Sequence, residues 1–260
     1  MTHRSVLVTG ASAGIGRATV LRFLAMGWQV GAIDRDGRAL AALEAEAASE
    51  RLWTEAVDVT DADAYTAALR GFMEATGGRL DVLVNNAGLV CAGDFESIDC
   101  SHYDRLIDVN VKAVVRGCHI ALPFLMTTPG ARVVNLCSAS AAYGVPSYAV
   151  YSASKFAVRG LTEALDAEWR RHGIRVTAVW PLFTRTAMTT GIHQPAILER
   201  LGVRLDAGDV ARVVTRSATC PRWWPQVHWN VGLQGMLVVL TTRFLPAWLN
   251  RIFMRELGDY

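Results

Sequence analysis

Tyr151 and Lys155 stand four residues apart in the run Tyr151-Ser152-Ala153-Ser154-Lys155. On a helix, residues at i and i+4 are surface neighbours, so this spacing puts a phenol and an ammonium on one face. A free phenol titrates near pH 10 and accepts protons poorly at neutral pH; bringing it to about 7 takes about 4 kcal/mol. A positive charge about 4 Å away supplies an energy of that order at an effective dielectric of about 20. The pair is therefore expected to move a proton to or from a substrate oxygen. Of 26 basic residues only Lys112 and Lys155 are lysine. A guanidinium stays protonated and could not join a proton relay, so a lysine here is not background. The plainer alternative is a helix-face aromatic beside a solvated cation.

A second constellation lies near the N-terminus. Thr9-Gly10-Ala11-Ser12-Ala13-Gly14-Ile15-Gly16 follows a strand-like segment and leads into a helical pattern. Gly10 permits a tight turn, Gly14 lets backbone approach a pyrophosphate, and Gly16 lets the helix pack closely on the strand. The helix N-terminus offers free N–H groups and a partial positive charge to phosphates, with Ser12 and Ile15 in the same loop. An ordinary glycine turn is the alternative; the position between the first strand and a helix favours a dinucleotide. Asp34 closes the second strand, eighteen residues after Gly16. A carboxylate there accepts hydrogen bonds from adenosine ribose hydroxyls and repels a 2′-phosphate; a helix N-cap or turn aspartate is the other reading. Arg35 softens that repulsion, and Ala13 adds no cation. NAD is expected over NADP.

Strands that could carry these residues are expected at Ser5–Thr9, Gln29–Asp34, Trp53–Val59, Val82–Asn85, Arg132–Cys137 and Arg175–Trp180, with a weaker one at Gln226–Trp229. Helical periodicity covers Gly14–Met26, Arg38–Glu50, Asp61–Thr76, Tyr103–Met126, Tyr148–His172 and Asp206–Thr219. Most strand segments are apolar without alternation, the mark of strands covered on both faces. Strand and helix alternating in this way imply right-handed βαβ units and an α/β, doubly wound parallel sheet of Rossmann type, here one domain over residues 1–260. Such a sheet binds ligands at the carboxyl ends of its strands.

The glycine loop, Asn85-Asn86-Ala87-Gly88 after the fourth strand, Ser138 after the fifth, and Tyr151-x-x-x-Lys155 thirteen residues beyond Ser138 together resemble the short-chain dehydrogenases/reductases. The resemblance is to their compact single-domain branch and runs over about residues 5–190. It implies hydride exchange between NAD(H) and a CH–OH or C=O group. Tyr151 would take the hydroxyl proton in oxidation and return it in reduction, with Ser138 holding the substrate oxygen beside it. The oxidised nicotinamide ring would help Lys155 acidify the phenol. The resemblance also implies Asn110 as a fourth member, holding water that connects Lys155 to solvent. Asp58 and Val59 would contact adenine, Asn86, Ala87 and Gly88 would line the ribose side of the nicotinamide, and Thr186 would reach its carboxamide. Plainer roles are a strand-end cap for Ser138, a helix-interior polar residue for Asn110 and a helix cap for Asp58. A homodimer or homotetramer is implied as well.

After the sixth strand the family usually shows Pro-Gly; here it is Pro181-Leu182. Pro181 stays beside the nicotinamide pocket, while Leu182 narrows or greases it and Phe183 adds to this. Ser138, Ser140, Val145, Tyr148, Leu182 and Phe183 are the expected substrate contacts. Residues of about 182–210 read as a substrate loop, and about 222–260 as an apolar helical extension. Residues 223–242 carry no formal charge, but Pro225, Gln226, His228, Asn230 and Gln234 leave too short an apolar stretch to cross a bilayer. Core helices packed on the domain are the bland reading. The sharper one is a lid over the cleft that faces a hydrophobic substrate and touches a membrane surface through Trp248 and Phe253.

Composition bounds the rest. With 260 residues, 52% hydrophobic and 19% charged, the chain can bury a large core and is not disordered. A net charge of +2 without a basic run argues against nucleic acid. Cys91, Cys100, Cys118, Cys137 and Cys220 form no CxxC pair and read as small buried hydrophobes in a reducing compartment, with no metal site. The sequence passes from Met1 directly into a strand, so a cytoplasmic location is expected. Two rivals stay open: an epimerase or dehydratase using the same Tyr-Lys pair, and a non-catalytic dinucleotide sensor. About seventy residues after Thr186 are few for the former, and an intact Ser138, Tyr151 and Lys155 speak against the latter.

Overall fold

The structure, a computed structural model, describes residues 3–185, 200 and 202–259. Strands β1 (Ser5–Thr9), β2 (Gln29–Asp34), β3 (Leu52–Ala56), β4 (Val82–Asn85), β5 (Arg132–Leu136), β6 (Arg175–Trp180) and β7 (His228–Asn230) form one parallel sheet. Its order is β3-β2-β1-β4-β5-β6-β7, so the winding reverses between β1 and β4. Ligand crevices open at such a reversal.

Helices α1 (Gly14–Ala25), α2 (Gly37–Ala47) and α7 (Ala207–Thr219) cover one face, burying Val20, Phe23, Leu40, Leu43, Val210 and Val214 against Val6, Val8, Val30 and Val134. Helices α3 (Ala62–Ala75), α5 (Ala113–Thr127) and α6 (Ala149–Glu168) cover the other, packing Tyr65, Phe72, Cys118, Leu125 and Val158 on Leu7, Ile33, Leu83 and Val176. The unbroken apolar strands reflect this two-sided burial, as expected.

Three segments depart most from the sequence reading. The third strand stops at Ala56, because Val57 N still donates to the Asp34 carbonyl (2.8 Å) but Asp58 then folds into a turn with Thr60. The seventh covers His228–Asn230, against the expected Gln226–Trp229. The long fourth helix divides into α4 (Cys100–Ile107) and α5, joined by one wide π turn over Asp108–Lys112. That turn is where Asn110 sits, consistent with the tendency of such turns to mark functional sites. The expectation of uniformly buried cysteines is also corrected. Cys118 and Cys137 are buried, Cys91 and Cys220 half-buried, and Cys100 is exposed because it opens α4 at the surface.

Beyond β7 the chain forms α8 (Gly232–Phe244) and α9 (Ala247–Gly258), tied together by the Asn250 side chain, which donates to the Thr242 and Leu245 carbonyls at 2.8 and 3.2 Å. Among the described residues one helical run, Cys100–Thr127, is long and apolar enough to cross a membrane. Leu106, Val114, Cys118, Ala121 and Leu125 of that run are buried in the core.

Candidate active site

Gly10 (φ +62°) and Gly14 (φ +51°) adopt left-handed backbone in the loop between β1 and α1. A Cβ on Gly10 would stand 2.7 Å from Ala87 Cα, and one on Gly16 would run into the Gly10 carbonyl. The loop is pinned from the side. Asn86 donates from its side chain to the Thr9 and Gly10 carbonyls at 2.9 and 2.8 Å, and Thr9 Oγ1 accepts from the Asn86 and Ala87 amides at 3.0 and 2.9 Å. Asn86, read from the resemblance as a ribose-side contact, therefore spends its amide as a clamp on the glycine loop. It still borders the cavity with Ala87 and Gly88.

Helices α2, α3, α4 and α7 each open on an aspartate cap, Asp36, Asp61, Asp99 and Asp206. Helix α1 opens on Ala13 with no side-chain cap and no acid in its first turn. Its positive end is thus left to the cavity that Ala13, Gly14 and Ile15 line, a cradle suited to phosphate. Asp34 is not the cap of α2, since Asp36 is; its two oxygens accept from the Ser12 and Asp36 amides, each at 3.1 Å. This holds the carboxylate at the cavity rim beside Arg35. Asp58 is not a helix cap either, because Asp61 caps α3. Burial pushes the Asp58 carboxyl up, but two hydrogen bonds from Thr60, with Arg105 and Arg35 nearby, outweigh it and hold the group below its ordinary value. Asp58 and Val59 both line the same cavity.

Helix α6 carries Tyr151 and Lys155 on its first turns, tied to the carboxyl end of β5 through Lys155. Ser138 Oγ accepts from Ser140 N at 3.2 Å, so the plain strand-end role is real, and the same hydroxyl hydrogen-bonds the Tyr151 phenol. Lys155 Nζ lies 5.6 Å from the Tyr151 ring centroid and donates to the Leu136 carbonyl at 2.9 Å. Burial, the largest influence, pushes Tyr151 up to about 12, with the Ser138 hydrogen bond pulling only partly back. Lys155 is itself lowered by burial.

Asn110 is buried, with Nδ2 donating to the Leu89 carbonyl (2.9 Å) and Ser154 Oγ (3.1 Å) and Oδ1 accepting from Leu89 N (2.7 Å). Its side chain joins the wide turn to α6 and to the loop following β4. Gly88 leaves room for this: a Cβ there would meet Asn110 Oδ1 at 3.3 Å and Lys155 Nζ at 3.9 Å. Leu89 and Ser154 were missed in the sequence, where neither carries a chemical signal.

One cavity of about 550 Å³ connects these groups. Ser140, Val145, Tyr148, Leu182 and Phe183 line it as expected, and Pro181 borders it while accepting from Ala139 N at 3.0 Å. Tyr148 packs on Tyr151 and Phe183, with centroids 6.1 Å away in each case. Thr186 and much of the anticipated substrate loop lie outside the described residues. The far wall comes from the extension: Val238 and Thr242 of α8, Met254 and Leu257 of α9. The sequence signalled an apolar lid but not which side chains turn inward. Among the described residues no cluster of three His, Cys, Asp or Glu side chains is placed to hold a metal ion.

Comparison with known proteins agrees with this geometry. A family model described as short chain dehydrogenase matches residues 4–196. The chain is 36% identical over 251 residues to sulfoacetaldehyde reductase 2 of Chromohalobacter salexigens, covering 94% of this chain and 95% of that protein. It is 32% identical to a 3-alpha-(or 20-beta)-hydroxysteroid dehydrogenase of Mycobacterium tuberculosis, over 82% of this chain and 81% of that protein. A crystal structure of 3-ketoacyl-(acyl-carrier-protein) reductase from Brucella melitensis complexed with NADH superposes with a TM-score of 0.80 at 26% identity, covering 88% of this chain and 96% of that one. The family match takes in the strands from β1 to β6, and the chain belongs to the short chain dehydrogenase family, a family of oxidoreductases.

Proposed function

We propose that the chain is an NAD(H)-dependent alcohol dehydrogenase or ketone reductase for an apolar secondary alcohol or ketone, with Tyr151 as general acid and base. The observation that supports it best is the single cavity running from the uncapped end of α1, past Ser138 and Tyr151, to an apolar wall. The residues present fit a dinucleotide: the α1 amides for its phosphates, the Asp34 carboxylate for ribose hydroxyls, and Asp58 with Val59 at the adenine end. When bound, that cofactor supplies or accepts a hydride at the substrate carbon.

The protein's own part is the proton. A substrate oxygen between the Ser138 and Tyr151 hydroxyls takes hydrogen bonds from both. In reduction, Tyr151 gives its proton to that oxygen as the carbonyl becomes an alcohol. A phenol held at about 12 is protonated at neutral pH, so the donor form is the resting form. In oxidation Tyr151 must accept the substrate proton, and Lys155, fixed by the Leu136 carbonyl, is the cation on that face. The Asp34 carboxylate favours NAD by repelling a 2′-phosphate.

The relatives named above point to different substrates, one a small anionic aldehyde and one a steroid. Among the described residues lining the cavity, the cations are Arg35 at the ribose end and Lys155. Nothing else basic there would meet a sulfonate, which favours the apolar substrate. The purified chain, given NADH or NADPH and a panel of aliphatic and polycyclic ketones plus sulfoacetaldehyde, should oxidise NADH with the bulky ketones. Absence of turnover with every carbonyl and both cofactors would overturn the reading.

A further inference from the structure

Helices α8 and α9 turn their inner sides to the cavity through Val238, Thr242, Met254 and Leu257. Their outer sides are also apolar. On α8, Leu233, Met236, Leu237, Leu240 and Phe244 recur at three- and four-residue spacing and are exposed, with Leu233 and Phe244 each 76% accessible. On α9, Trp248 (63%), Ile252 and Phe253 are exposed as well. Soluble proteins rarely leave so much apolar surface together unless something covers it.

Charge indicates what that is. Residues 232–259 carry the exposed Arg243 and Arg251 besides Arg255, and their acids are Glu256 and Asp259, the latter already paired with Arg200. A two-fold contact with a second copy on this face would bring Arg243 and Arg251 of one copy toward the same arginines of the other. Anionic lipid headgroups supply the missing charge, and a membrane interface accepts leucine, phenylalanine and tryptophan on the same surface. Helix α8 has 13 residues, short of the about 20 needed to span.

We propose that the outer face of α8 and α9 docks on an anionic lipid surface, lying in its plane. Docking would set the apolar wall of the cavity about one helix diameter from the lipid. The proposal concerns binding alone and stands apart from the chemistry assigned to Tyr151.

The test is flotation of the full chain with vesicles of phosphatidylcholine alone, and of phosphatidylcholine and phosphatidylserine in equal parts, at low and high salt. The chain should float with the anionic vesicles and do so less in high salt. The double variant Leu237→Ser/Phe244→Ser should float at least about tenfold less. Arg243→Ala/Arg251→Ala should lose the preference for anionic vesicles, by about fivefold per arginine. Thermal melting of each variant reports its fold, and the arginine variant carries the test alone if the apolar one fails to fold. No flotation on either vesicle, or equal flotation of the chain and its variants, overturns the proposal. So does a dimer that these variants split but vesicles do not bind, which would assign the face to a second copy.

Discussion

Leu182 and Gly235 meet where the end of β6 passes under α8: a Cβ on Gly235 would stand 3.7 Å from Leu182 Cβ. Leu182 is therefore roofed by α8, so it packs against the helix instead of projecting into water. The pocket is narrowed at this point from both sides, by the residue after β6 and by the C-terminal helices.

Leu182→Gly should therefore act on the extension more than on the chemistry. Removing a half-buried leucine under α8 should lower stability by about 1–3 kcal/mol, read from denaturant midpoints. KM for bulky ketones should rise while kcat stays within about tenfold, since Tyr151 and Ser138 are untouched. A variant with unchanged midpoint and unchanged KM would mean that α8 does not rest on this residue.

Gly16→Ala tests the phosphate cradle. The added methyl would collide with the Gly10 carbonyl and lie 2.6 Å from Asn86 Nδ2, the group that clamps the loop. Backbone has to move, at a cost of about 1–3 kcal/mol. Dinucleotide affinity, followed by NADH fluorescence, should drop more than tenfold, whereas the same substitution at the solvent-facing Gly160 should leave it unchanged.

Much of this site was legible in the sequence, because each motif residue is chemically restricted. Only glycine tolerates the backbone at Gly10 and Gly14, and the pairing of Tyr151 with Lys155 needed only helical spacing. What stayed hidden depends on long-range contacts. Asn86 looked like a ligand contact because sequence does not show that Thr9 and Gly10 lie against it. The inward turn of Met254 and Leu257 depends on how α9 docks. The burial that raises the Tyr151 phenol is likewise set by the whole fold and not by its spacing from Lys155.

Asp34→Asn removes the charge and keeps one of the two oxygens that accept from the Ser12 and Asp36 amides. A negative charge about 4 Å from a 2′-phosphate is worth about 1–4 kcal/mol between the limits of water and protein surface. The ratio of kcat/KM for NADH over NADPH should fall by about tenfold or more. An unchanged ratio would place cofactor choice elsewhere, with Arg35 the next residue to vary.

The pH dependence of the two directions should differ in sign. Reduction uses the neutral phenol, whose folded pKa of about 12 lies above the ordinary tyrosine value of about 10. Its rate should stay flat through neutral pH and fall only as the solution approaches that value. Oxidation needs the phenolate, so its rate should climb with pH over the range where reduction is flat. Lys155→Met removes the nearest ammonium and should move the oxidation limb to higher pH while sparing the flat part of the reduction profile. Tyr151→Phe should lower kcat in both directions by about 10²–10⁴-fold and abolish both limbs. The aromatic ring, its contact with Tyr148 and hence the melting temperature should be retained. Initial rates across pH for the three proteins, with one ketone and its alcohol, decide the matter: limbs that survive in Tyr151→Phe belong to another acid, and the proton would have to come from elsewhere in the cavity.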